Sequence, residues 1–386
     1  MRDADVIIIG GGIMGCSIAF QLRKLGKSVL VLERRDVASG SGGASDGVVG
    51  YHTKKPGPQM DLAVQSIAMF RTLLPELGDE VDFHSTAGGM QPAEDKLQWD
   101  VLSQIAAQQR ESGVDIRMIS MDEALALEPN LNPNLYGALY CPTSAKVNAL
   151  KLTLAFSHAA KRLGAVIQTQ TEVTGILTDR GRVRGVQTSR GDYYADAVVN
   201  ACGAWAGAVS ALAGLDLPIR PRKGQLAVTE PVGFFMKATV QCALYNIIKF
   251  RPEAVSDPSA LRLGASLSIE QTLDGGMIIG GTREFVGFEG TNTLEAIEVM
   301  MKRAIRFFPR LEHVDVIRFF SGFRPYTPDG LPLLGETASL KGFYLAAGHE
   351  GDGIALSPIT GKLIAELVAT GRTSYPIDLF SPNRFG

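Results

Sequence analysis

The chain has 386 residues, 45% hydrophobic and 20% charged, enough for two domains at roughly 150 residues each and too apolar for a disordered protein. Lys+Arg 38 against Asp+Glu 40 leaves a formal charge of −2. With no single-sign block, that balance excludes a nucleic-acid binder or a protein that adheres to anionic membranes.

Val6-Ile7-Ile8-Ile9 is a short, β-branched apolar run, the pattern of a strand buried on both faces. After a glycine turn, Ile18, Leu22 and Leu25 fall at helical spacing within 13–25, with Gly26 suited to the cap. Residues 28–32 form a second buried strand that ends in Glu33, which completes a β-α-β unit. A glycine-rich loop (39–50) precedes helices predicted over about 62–73 and 96–112, and 129–134 reads as a loop. A helix near 149–163 leads into a strand-and-turn ribbon over 166–194, then a buried strand at 197–201 and a glycine turn at 202–205. From 224 to 320 the pattern predicts strands and one amphipathic helix, 293–307, whose inner face is Ile297, Met300, Met301, Ala304 and Ile305. The tail repeats the opening theme: a strand at 343–347, a turn at 348–353, and a helix to about Ala369. Ser357-Pro358 suits that helix's first turn, and Gly371 lies past its end.

The four cysteines (Cys16, Cys141, Cys202, Cys242) form no C-x-x-C, so no disulfide framework, zinc finger or iron–sulfur site is expected in this chain. Met1 to Asp5 carry no leader pattern, and no apolar stretch runs uninterrupted to membrane-spanning length. A cytoplasmic protein without a membrane span is the expectation.

Gly10-x-Gly12-x-x-Gly15 lies between the first strand and helix, and Glu33 ends the next strand. Gly10 permits the tight turn, Gly12 lets backbone approach a pyrophosphate, and Gly15 lets helix pack on strand, while the helix N-terminus supplies free N–H groups. Glu33 suits the two ribose hydroxyls of an adenosine and disfavours a 2′-phosphate, a point that Arg34 and Arg35 soften. The motif therefore reads as a dinucleotide site. Strand-to-glycine turns recur at 198–203 and 345–353, so the cofactor domain is expected to be assembled from three separated segments.

With these segments in view, the sequence resembles the D-amino-acid-oxidase-like superfamily of FAD proteins, which includes glycine oxidase and the sarcosine oxidases. The carriers are the Gly10–Gly15 motif with Glu33, residues 199–205, Gly322-Phe323-Arg324-Pro325 with Thr327-Pro328-Asp329-Gly330, and residues 348–354. Residues 269–281 are similar to the FAD-bearing subunits of multi-subunit enzymes: sarcosine oxidase β, opine oxidase, hydrogen cyanide synthase, and dye-linked proline or hydroxyproline dehydrogenase. The resemblance implies an α/β fold with a discontinuous Rossmann-type FAD-binding domain (1–82, 143–217 and 321–386). A mixed α+β substrate domain with a largely antiparallel sheet (83–142 and 218–320) completes it.

The same resemblance implies oxidation of the C–N bond of an amino acid or N-substituted amino acid by hydride transfer to flavin N5. The substrate would be of the proline or hydroxyproline, sarcosine, glycine, D-amino-acid or opine type. A second subunit would carry any iron–sulfur cluster. Arg324 is expected to hold the substrate carboxylate, with Asp329 as the rival partner in a structural ion pair. His52 and Lys54 are candidates to face the substrate or the flavin ring; a solvated loop explains them as well.

The expected cofactor contacts begin with Gly10, Gly12, Ile13, Met14, Gly15, Glu33 and Arg34. Gly43, Ala44, Ser45, Gly47 and Val173 follow, then Ala201, Gly203 and Trp205. The closing turn adds Gly348, His349, Gly351, Asp352, Gly353 and Ile354, with the last helix aiming its N-terminus at the flavin. No cysteine follows Cys242, so FAD is expected to be held noncovalently, and Ala355 stands where monomeric sarcosine oxidase has a lysine. The rival readings are a 2-hydroxy-acid dehydrogenase on the same fold, a nicotinamide-dependent dehydrogenase, and a noncatalytic subunit that retains FAD.

Overall fold

A computed structural model of the chain describes residues 3–78 and 81–385. Met1 and Arg2, part of the stretch read for a leader, lie outside those residues.

The first sheet has six strands in the order Leu333–Glu336, Phe343–Ala347, Ala197–Asn200, Val6–Ile9, Val29–Leu32, Val166–Gln168. All neighbours run parallel except the edge strand Leu333–Glu336. Its strands alternate between two apolar layers, which explains their unbroken hydrophobic runs. Val6, Ile8, Val29 and Val31 join a core that includes Phe20 and Leu22 of helix Ile13–Lys24 and Leu363 of helix Gly353–Thr370. Ile7, Ile9, Leu30 and Leu32 face the other way, onto Val173, Val183 and Val186 of a three-stranded antiparallel ribbon. Three distant stretches of chain thus build one sheet.

The second sheet has eight strands, in the order Val316–Tyr326, Arg220–Thr229, Met277–Gly280, Ser268–Gln271, Thr239–Gln241, Gly89–Ala93, Gly137–Cys141, Arg117–Ile119. Only the pair Thr239–Gln241 and Gly89–Ala93 is parallel. The fold is therefore mixed α/β, with a nearly antiparallel second sheet. Strand Val316–Tyr326 lies wholly in that sheet and crosses the 320/321 boundary expected from the sequence.

Several predicted elements change. The helix expected over 62–73 runs Pro58–Leu77, with Pro58 in its first turn. Residues 224–320 contain two further helices, Ala243–Phe250 and Pro258–Leu263, besides Leu294–Phe307. Helix Met121–Leu127 was also not anticipated; a Ser120–Glu123 capping box starts it. These helices are six to eight residues long, too short to show a hydrophobic period. On Leu294–Phe307 the buried face is Ala296, Met300, Ala304 and Phe307, with Met301 and Ile305 on its flank.

The last helix starts at Gly353, so Ser357-Pro358 sits in its second turn and not its first. That helix has the length and apolarity of a membrane span; its packing against Ile13–Lys24 and Pro58–Leu77 accounts for the apolar composition.

Candidate active site

A cavity of about 230 Å³ opens where the two sheets meet, and the Gly10 turn forms one end of it. Gly10 has φ +106, and a Cβ there would meet the Ala201 carbonyl oxygen at 2.8 Å. A Cβ on Gly15 would overlap the Gly10 carbonyl. Gly12 is different. It caps helix Ile13–Lys24 without a side-chain hydrogen bond, and a Cβ on it would meet nothing within 4 Å. The chain thus leaves an uncapped, electropositive helix end open toward a space that glycine keeps free.

Glu33 is fixed beside that space. Its Oε2 accepts from the Gly11 N–H and its Oε1 from the Arg35 N–H, both at 2.8 Å. Arg34 lies over the Trp205 ring at 4.6 Å, and Trp205 stacks on Phe288 at 4.9 Å.

The closing turn supplies a second helix end. Asp352 precedes helix Gly353–Thr370 but does not cap it. Its carboxylate instead meets Lys54 at 2.9 Å and Lys249 at 2.6 Å, and accepts from Gln59 at 3.0 Å. Gly351, Gly353 and Ile354 line the cavity in front of this helix. His349 is buried against Thr360 at 3.0 Å, and burial pushes its imidazole down to about 3, so it stands neutral.

Three arginines surround Glu350 of this turn, and two of them, Arg283 and Arg324, line the cavity. Arg324 and Arg222 are cross-strand partners in the second sheet. The Arg324 Nη1 donates to the Thr282 carbonyl at 2.7 Å, and its Nε is 3.9 Å from Glu350. Asp329, the rival partner expected for Arg324, is engaged by both Nε and Nη2 of Arg384, at 2.7 and 3.0 Å. Glu350, at φ +51, contacts Arg222 and lies 3.8 Å from Lys249. Burial opposes its ionisation, but Arg222, Lys249, Arg324 and Arg283 outweigh that and hold the carboxyl well below its usual range. Arg283 stacks over Tyr245 at 4.3 Å.

Of the residues picked from sequence, Gly10, Gly12, Ile13, Met14, Glu33, Arg34, Ala44, Ser45 and Val173 line the cavity. So do Ala201, Gly203, Trp205, His349, Gly351, Gly353, Ile354 and Arg324. Gly15, Gly43, Gly47, Gly348 and Asp352 do not line it.

His52 and Lys54 require a correction: neither lines the cavity nor sits on a solvated loop. His52 is fully buried, bonded to Gln241 at 2.7 Å, and burial pushes it down to about 4. Lys54 is 1% exposed and committed to Asp352.

Sequence reasoning missed Tyr245, Arg283, Glu350 and the acidic pair Asp46 and Glu270. Arg283 follows the apolar, glycine-ended run 277–281 after Thr282, a guanidinium close to an apolar segment that could have been asked for its partner as Arg324 was. Asp46 and Ser268 line the cavity and are bonded at 2.8 Å; Glu270 lies behind them and accepts from the Gly47 N–H at 3.0 Å. Burial and Asp46 push the Glu270 carboxyl up to about 8.

The site fits a dinucleotide cofactor on its own geometry: two uncapped helix ends, one Cβ-free approach and a fixed carboxylate share a single cavity. Cys202, the one cysteine on that cavity, has its thiol pushed up by burial and donates to the Ile9 carbonyl at 3.2 Å. It is a poor nucleophile.

Comparison with known proteins agrees. Residues 5–367 match the family described as DAO, FAD dependent oxidoreductase. Glycine oxidase of Geobacillus kaustophilus is 32% identical over 98% of this chain and 97% of its own. Hydrogen cyanide synthase subunit HcnC of Pseudomonas aeruginosa is 29% identical over 98% of this chain and 95% of its own. The crystal structure of L-proline dehydrogenase from P. horikoshii superposes with a TM-score of 0.88 at 28% identity, covering 100% of this chain and 98% of that one.

Proposed function

The chain belongs to the DAO family of FAD-dependent oxidoreductases, and from that premise we propose that it oxidises the C–N bond of an amino acid or N-substituted amino acid. The observation that carries this reading is the Arg324 guanidinium, on the same cavity as both helix ends and free of the Asp329 ion pair. Its planar fork suits a carboxylate.

FAD, when bound, supplies the two-electron acceptor for this chemistry. The Gly10–Gly15 turn, Glu33 and the 351–354 turn would hold it, without a covalent link. Arg324 fixes the substrate by its carboxylate, so that the carbon bonded to nitrogen is presented in one orientation. Oxidation removes two electrons and a proton together from that carbon, as hydride, and a second proton from nitrogen, and water then cleaves the imine to a carbonyl compound and an amine. With His349 neutral and the Glu350 carboxylate matched by cations, the residues' main work is orientation and electrostatic support.

Residues 1–82, 143–217 and 321–386 serve as the cofactor unit, and 83–142 with 218–320 as the substrate unit, save that strand Val316–Tyr326 belongs entirely to the sheet of the latter. A second subunit and a cytoplasmic location complete the proposal. The subunit is supported by the likeness to HcnC, itself named as a subunit, and by the exposed apolar side chains Phe285, Phe288 and Leu294, of which Phe288 stacks on the cavity-lining Trp205.

The deciding experiment is anaerobic bleaching of the purified flavoprotein by proline, hydroxyproline, sarcosine, glycine, D-amino acids and opines, against a 2-hydroxy-acid panel. Amines should bleach it and hydroxy acids should not. Arg324→Ala should raise the half-saturating amine concentration by about 10²-fold or more. Unchanged saturation in that variant would refute the assignment.

A further inference from the structure

We propose that the substrate carries two carboxylates, one received by Arg324 and the other by Arg283, so that the chain takes an imino- or amino-dicarboxylate. This deepens the amino-acid reading above and rests on it for the chemistry, though not for the binding.

Arg283 is 6% exposed and lines the same cavity as Arg324. Its Nη1 donates to Ser266 at 3.0 Å, while its Nε and Nη2 have no hydrogen-bond partner among the described residues. Leaving a buried guanidinium half satisfied is costly, more so than leaving a neutral group unpaired. Such an arrangement is retained where a ligand completes it. Nε and Nη2 form one edge of the guanidinium fork, the edge that receives a carboxylate through two parallel hydrogen bonds.

The two arginines address one space. A methyl group placed on Gly351 would lie 3.6 Å from both Arg324 Nε and Tyr245 Oη, and Tyr245 carries Arg283 on its ring face. Glycine at 351 keeps this volume clear. Charge argues the same way. Around the turn, the cations Arg222, Lys249, Lys54, Arg283 and Arg324 face the carboxylates Glu350 and Asp352. Glu350 is in contact with Arg222 and Asp352 with both lysines; Arg324 Nε stands 3.9 Å from Glu350, beyond hydrogen-bond distance, and Nε and Nη2 of Arg283 bond to neither carboxylate. Burial lowers the proton affinity of Arg283, and Arg324 and Arg222 add to that against the pull of Tyr245 and Glu350. One carboxylate neutralises one arginine. A second relieves the other.

The test uses the FAD-loaded protein and redox-inert ethers: methoxyacetate with one carboxylate and diglycolate with two, titrated by perturbation of the flavin spectrum. Wild type should bind diglycolate at least about 30-fold more tightly than methoxyacetate. Arg283→Met should reduce that ratio to about threefold or less, with methoxyacetate affinity little changed and FAD retained.

Equal affinity for the two ethers in wild type would overturn the proposal. So would an Arg283→Met variant that weakens both ethers alike, or one that sheds FAD, which would assign Arg283 to the cofactor. Arg283→Lys, which keeps the charge and loses the fork, serves if the methionine variant fails to fold; its loss should again be confined to diglycolate. If no amine bleaches the flavin yet the diglycolate preference holds, the amine-oxidation reading fails and the dicarboxylate site stands. If monocarboxylate amines saturate as readily as dicarboxylate ones, the reverse follows.

Discussion

Lys54 Nζ lies 2.9 Å from Asp352 Oδ1, and their side chains are 2% and 1% exposed. The pair ties the loop after strand Val48–Val49 to the turn that opens the last helix. Burial raises the Asp352 carboxyl, but Lys249 and Lys54 together outweigh it and hold it below its usual range. Lys54→Met removes one partner of a buried ion pair and should cost about 3 kcal/mol, seen as a lowered thermal midpoint. Lys54→Met/Asp352→Asn should recover part of that loss. A neutral Lys54→Met would show that Lys249 alone suffices.

Acid stability should fall before the carboxylates titrate. His52 and His349 are pushed down to about 4 and about 3 by burial, so below pH about 6.5 the unfolded chain takes up protons that the folded chain refuses. Stability from these groups is complete above pH about 6.5 and declines as pH falls toward the folded values, at up to about 1.4 kcal/mol per pH unit for each histidine. Thermal melts between pH 7 and 4.5 check this. His52→Gln, which retains a polar partner for Gln241, should flatten the slope by about one proton.

Glu270 has the opposite sign. Its carboxyl is raised to about 8, so between its unfolded value and pH 8 the folded chain holds the extra proton, and stability is lost as pH rises. Glu270→Gln keeps an acceptor for the Gly47 N–H and should stabilise the protein by about 1 kcal/mol at pH 8, less at pH 5. A variant that destabilises equally at both pH values would rule out a protonated Glu270.

Gly12→Ala and Gly15→Ala should fail differently. The Cβ on Gly12 enters open space within the cavity, so that variant should fold with a near-native melting point and lose FAD affinity by about tenfold or more. The Cβ on Gly15 collides with the Gly10 carbonyl, so that variant should melt earlier even before cofactor is considered. Circular dichroism melts of the apoprotein beside FAD titration separate the two.

What the sequence revealed follows from how local each signal is. Val6–Ile9 and Val29–Leu32 are buried on both faces, so four-residue apolar runs announced them, and Gly10–Gly15 with Glu33 lay within one supersecondary unit. Arg324 was legible because a guanidinium in an apolar stretch needs a partner. Lys54 was not, since its partner comes from the other end of the chain and a buried ion pair reads like a solvated lysine. Tyr245 and Arg283 become a unit only when helix Ala243–Phe250 folds beneath the segment after strand Met277–Gly280.

Strand Phe343–Ala347 pairs with Ala197–Asn200, and Gly353–Thr370 packs across helix Ile13–Lys24. A ribosome must therefore translate past residue 347 before this sheet can finish. Until then the nascent polypeptide carries Ala197–Asn200 with a bare hydrogen-bonding edge and an uncovered apolar helix, a template for self-association. Chaperone attention during synthesis, and loss of soluble product on deleting the last fifty or so residues, are the biosynthetic corollaries of that strand order.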